Sequence, residues 1–66
     1  MVGEYEGLCE RHELPPVPGG LEILDARYSA RTRDWHILTK DGWFYCRGDG
    51  APERREWVPS VYGPTA

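Results

Sequence analysis

Lysine, phenylalanine and methionine each occur once in these 66 residues, and cysteine twice. No apolar run approaches the ~20 residues that a membrane-spanning helix needs. The opening residues 1–8 carry Glu4 and Glu6 and no basic stretch, so they do not read as a secretion signal. A soluble cytoplasmic chain is therefore expected, with Cys9 and Cys46 as free thiols in a reducing compartment. Basic charge is also short: eight Lys and Arg against eleven Asp and Glu give a net −3, which disfavours phosphate backbones as partners. Leu, Ile, Val and Phe together make up under a fifth of the chain, which alone leans toward disorder. Three Trp and four Tyr redress that balance, because each buried aromatic removes ~150–250 Å² from water. A folded domain with an aromatic-rich core is expected, small enough to leave little room for a rigid catalytic constellation.

Metal and enzyme chemistry find thin support. Cys9 and His12 have the spacing of a half-site, and His36 with Cys46 would complete a Cys2His2 set. The second pair is too widely spaced for a zinc knuckle, and Cys46 lies among apolar neighbours as a small core residue would. No cofactor is expected. His12 beside Glu10 and Glu13, and His36 beside Asp34, are the candidate acid–base groups. Neither comes with a nucleophile, a glycine-rich loop or a second carboxylate at a defining distance, so the chain reads as non-enzymatic.

Charge divides the chain. Residues 1–25 hold Glu4, Glu6, Glu10, Glu13, Glu22 and Asp25 against Arg11 alone, whereas residues 26–66 are net +2. Between the halves runs Leu14-Pro15-Pro16-Val17-Pro18-Gly19-Gly20, whose prolines force extended polyproline II backbone before the glycines let the chain turn. Two parts follow: an acidic, proline-containing arm over residues 1–20 and a β domain over residues 21–66. Residues 5–13 have enough helix formers for a turn or two of helix.

Beyond the arm the pattern is β. Residues 21–30 lack a 3.6 period, and Leu24, Ala26 and Tyr28 alternate with Asp25, Arg27 and Ser29. Residues 35–40 form a second strand, Asp41-Gly42 signals a two-residue hairpin, and residues 43–47 form a third. Residues 56–58 make a short fourth strand that Pro59 ends or confines to an edge. With the turn at Asp41-Gly42, one face carries Trp35, Ile37, Thr39, Phe44 and Cys46, and the other carries His36, Leu38, Lys40, Trp43, Tyr45 and Arg47. The first is the expected core face, with Leu24, Ile37, Phe44, Trp35 and Trp57 as core. The second is too apolar for plain solvent and too charged for a core. Two readings of it stand open: the arm lies across it, its prolines on Trp43 and Tyr45, or it is an exposed aromatic patch that binds a partner.

Glu56-Trp57-Val58-Pro59-Ser60-Val61-Tyr62 resembles the closing motif of SH3 domains, and Leu24-Asp25-Ala26-Arg27-Tyr28 is a looser likeness of their opening strand. The resemblance implies an all-β fold: a small SH3-like barrel or a strongly bent antiparallel meander of three or four strands. It also implies that Pro59 and Tyr62 line a peptide groove, with Tyr28 and Trp43 near the family's other aromatic positions. A weaker likeness to chromodomains runs through Glu22-Ile23-Leu24-Asp25-Ala26-Arg27, Ile37 to Trp43 and Trp57-Val58-Pro59. There Lys40 stands in place of a cage tryptophan, so the likeness implies a backbone and not methyl-lysine recognition.

The leading expectation is thus a protein–protein interaction module that takes another protein or an extended peptide through Tyr28, Trp43, Tyr45, Pro59 and Tyr62. A second is an inhibitor or accessory protein, of the kind phages and mobile elements encode, whose acidic arm engages a basic host surface. A third is nucleic-acid or chromatin binding through Arg27, Arg31, Arg33, Arg47, Arg54 and Arg55 with Trp43 and Tyr45. The Pro15-x-x-Pro18 element further allows the chain itself to be an SH3 ligand.

Overall fold

The clearest alternation in the sequence, Trp35-Ile37-Thr39 against His36-Leu38, becomes a central strand. In the computed structural model, which describes residues 4–48 and 51–61, this is β2 (Asp34–Thr39). It is flanked by β1 (Asp25–Ser29) and β3 (Gly42–Arg47), and β4 (Val58–Ser60) follows on the far side of β3. All pairings are antiparallel in the order β1-β2-β3-β4, so the fold is an all-β meander. The sheet is open, with β1 and β4 as its edges.

The hairpin differs from expectation by one residue. Thr39 pairs with Gly42, which makes Lys40 and Asp41 the turn. Both have negative φ, while Gly42 carries φ 108. That is the order in which a glycine takes the bulge position after the turn, where a side chain would be strained. Thr39 Oγ1 fastens the corner, accepting from the Asp41 amide at 3.1 Å and donating to the Gly42 carbonyl at 3.1 Å. The observed pairs Ile37 with Phe44 and Trp35 with Cys46 differ from the expected ones by a two-residue step, so each side chain keeps its face.

Face membership then runs across the sheet. Ala26, Tyr28, Trp35, Ile37, Phe44, Cys46 and Pro59 share one side, and Arg27, His36, Leu38, Trp43, Tyr45 and Val58 share the other. Ile37 and Cys46 are fully buried, and Ile37 alone contributes ~1.5–3 kcal/mol of burial. The arm supplies what covers them. Within it α1 (Leu8–Arg11) is a single helical turn, and its Leu8, with Leu14 beyond, is buried. His12 packs on Trp35 with ring centroids 4.6 Å apart, and Trp57 Nε1 donates to the Pro15 carbonyl at 2.8 Å. The arm therefore lies on the Trp35 face and not across Trp43 and Tyr45, which was one of the two arrangements the sequence left open. Gly19 and Gly20, both at positive φ, then turn the chain back toward β1.

Two other expectations are corrected. Leu24 is 53 % exposed and not core, because it precedes the edge strand β1, at the margin of the sheet. The last strand begins two residues later than expected, at Val58, and takes in Pro59, which is tolerated because β4 is confined to an edge, one of the two outcomes expected of that proline. A short 3-10 turn, Pro52–Arg54, leads into that strand and had no expected counterpart. No helix of the described residues is long and apolar enough to cross a membrane.

Candidate functional site

The register builds the face turned away from the arm, which among the described residues the arm leaves uncovered, from four strands. One row across it reads Arg27, His36, Tyr45 and Val58; the next reads Asp25, Leu38, Trp43 and Ser60. Alternation in β2 and β3 is what brings Leu38, Trp43 and Tyr45 together, and all three are half-buried, as is Val58. His36 sits at the centre of the face, only 8 % exposed, with its ring 6.2 Å from that of Tyr45. Its Nδ1 is buried and meets no hydrogen-bond partner among the described residues. An unmet buried group of this kind costs about 1–3 kcal/mol.

At the end of the face where β3 leaves the sheet, a hollow of about 610 Å³ has Tyr45 and Val58 in its wall. Arg47, Arg54 and Arg55 line it along with Asp34 and Glu56, so bases exceed acids by one. Arg55 Nη2 donates to the Gly48 carbonyl at 3.2 Å, while its Nε is buried without an acceptor. Among the described residues the lone ion pair is Arg27 with Asp25, at 3.2 Å on the β1 edge.

Of the five residues expected to make contacts, the four described ones do not form one patch. Trp43 and Tyr45 stand together on the open face. Tyr28 and Pro59 lie on the opposite face at its two margins, Tyr28 half exposed with its ring centroid 5.1 Å from that of Trp35. Tyr62 lies outside the described residues. Val58 was read in the sequence as part of the last strand and not as a contact residue; its register opposite Tyr45 is what places it on this face.

The zinc set is divided in the same way. His36 and Cys46 are on opposite faces, and among the described residues no three His, Cys, Asp or Glu side chains converge on a common point. Both thiols are pushed up by burial, Cys9 further by the charge of Glu10, while the nearby Arg55 pulls Cys46 partly back. Neither cysteine is poised as a nucleophile, since a raised thiol stays protonated at neutral pH.

No family model, curated protein or solved structure matches this chain.

Proposed function

We propose that the chain is a protein-interaction module whose seat is the Leu38–Trp43–Tyr45–Val58 face. The observation that carries this reading is the placement of the arm. A chain this short needs its apolar contacts for its own core, yet its arm is fastened at Trp35, at Trp57 and at the β1 edge, leaving an aromatic face half-exposed. Trp and Tyr are the residues that most often dominate binding energy when a partner covers them. The excess of arginine in the adjoining hollow favours an extended segment with an apolar side chain over Tyr45 and a carboxylate toward Arg47 or Arg54. This reading takes the SH3-like closing motif as a signal of fold kinship, and moves the contacts from that family's groove to the sheet face. It ranks above nucleic acid, because Asp34 and Glu56 interleave with the arginines and the whole chain is net −3.

The test is selection from a displayed library of random peptides, followed by titration against wild type and Trp43→Ala. Selected peptides should lose at least about tenfold in affinity on Trp43→Ala, equivalent to ~1.4 kcal/mol. They should also shift the amide resonances of Tyr45 and Val58. Peptides indifferent to Trp43→Ala, in a variant whose thermal midpoint shows it folded, would sink the proposal.

A further inference from the structure

A second concavity lies on the arm and owes nothing to the sheet face. Residues 5–10 form one wall and residues 16, 17 and 21–23 the other, enclosing about 740 Å³. Its apolar lining comes from Tyr5, Leu8, Pro16, Val17, Leu21 and Ile23. That volume suits a bulky side chain together with its flanking backbone. Every charged residue lining it is an acid: Glu6, Glu10 and Glu22, all exposed and none ion-paired among the described residues. Arg11, the one base of the arm, points a guanidinium nitrogen at the Glu6 carbonyl at 2.8 Å and not at a carboxylate. The three carboxylates do not converge as metal ligands would, so they act as a spread negative rim around an apolar floor.

We propose that this groove docks a short cationic segment of another protein, one apolar side chain entering between the walls with Lys or Arg on either side. Charge complementarity selects that occupant. Anionic lipid surfaces and nucleic acid would be repelled by the same rim, and an uncharged apolar peptide would leave three carboxylates facing it without a counter-charge. Burial at the floor supplies affinity, and the rim supplies orientation and rate of encounter.

The probes are three synthetic peptides of equal length, one alternating Lys with Leu, one Lys with Ser and one Glu with Leu, titrated into the isotopically labelled full chain. The Lys–Leu peptide should shift the amides of Leu8, Val17, Leu21 and Ile23, and the other two should leave them unmoved. Glu6→Lys with Glu22→Lys should weaken its binding by about tenfold or more, and the milder Glu6→Gln with Glu22→Gln should give a smaller loss in the same direction. Three outcomes would overturn the proposal. Equal binding of the Lys–Ser peptide would reduce the effect to bare surface charge. Shifts confined to Trp43 and Tyr45 would relocate it to the sheet face. Concentration-dependent shifts of the groove amides without any peptide would mean that a second copy of the chain is the occupant.

Discussion

At position 48 the chain has room for a hydrogen and nothing larger, since a methyl group there would overlap the Arg33 carbonyl. Gly48 follows the last pair of the β2–β3 ladder, Asp34 with Arg47, and lies against Arg33, which itself stands at φ 59, so neither backbone can retreat without disturbing the hairpin. Gly48→Ala should therefore cost ~1–3 kcal/mol, lowering the thermal midpoint by about 4–8 °C for each kcal/mol. Gly42 has open space around it, and its requirement is for φ alone. A second residue-scale effect concerns Tyr5 and Asp25, whose side chains meet at 3.1 Å. Burial pushes the Asp25 carboxyl up, but the Tyr5 hydroxyl, the Ala26 amide and Arg27 more than offset it and hold it below the usual carboxylate range. The Tyr5 phenol is raised, chiefly by its hydrogen bond to Asp25 and further by burial and by the charges of Glu4 and Asp25. The carboxylate's contribution to stability is complete above the ordinary value of ~4 and is lost as pH falls through its lower folded value. The phenol's is complete below ~10 and is lost as pH rises through its higher folded value. Thermal midpoints measured across pH should accordingly show both flanks in wild type, and Tyr5→Phe should flatten them.

Among the elements, the arm is the one that behaves least as its sequence suggests. The sequence offered its prolines as the packing segment, over Trp43 and Tyr45, yet it is Leu8 and Leu14 that make the arm the second layer of the core. Those two leucines stand six residues apart with Glu10 and His12 at the positions between them that an alternating strand would make apolar, so periodicity had no purchase on them. The β2–β3 hairpin was legible for the opposite reason: alternation over six residues fixes faces even where the turn is misplaced by one. Leu24 defeated the same logic, because alternation assigns a side but not how far the covering layer extends. Of the candidate surface, Trp43 and Tyr45 were legible as neighbours. Tyr28 and Pro59 were not separable from them, since the pairing of β1 and β4 is not written in either strand alone. The arm's hold on the body rests in part on one indole. Trp57→Phe removes the bond to the Pro15 carbonyl and should cost ~0.5–1.5 kcal/mol. Hydrogen exchange would check it: amides of α1 should exchange faster, with β2 and β3 less affected.

For the molecule as a whole, the open sheet raises the question of its edges, which in any meander offer unpaired backbone to other strands. Here both are blunted. On β1 the Ala26 amide is taken by Asp25 Oδ1, the same oxygen that receives the Tyr5 hydroxyl. On β4 Pro59 has no amide hydrogen to offer. Association is thereby steered from edges to faces, which fits an interaction surface of side chains better than strand addition. Asp25→Ala combined with Pro59→Val should lift both blocks. Sedimentation velocity should then show the variant associating at concentrations where wild type sediments unchanged; identical behaviour would mean that the edges are protected by something else.

The exposed pair Gly19 and Gly20 joins two layers that hold each other by side chains rather than by the peptide link between them. A single protease nick there would leave the covalent chain in two pieces and the core in one. The molecule is in that sense laid out as a split protein: the arm peptide and the sheet, supplied separately, should form a complementing pair whose reunion restores the buried set of Leu8, Leu14, Ile37 and Cys46. Joined, the arm meets its sheet at an effective concentration in the millimolar range. Split, the same contacts would report on the proximity of whatever each fragment is fused to.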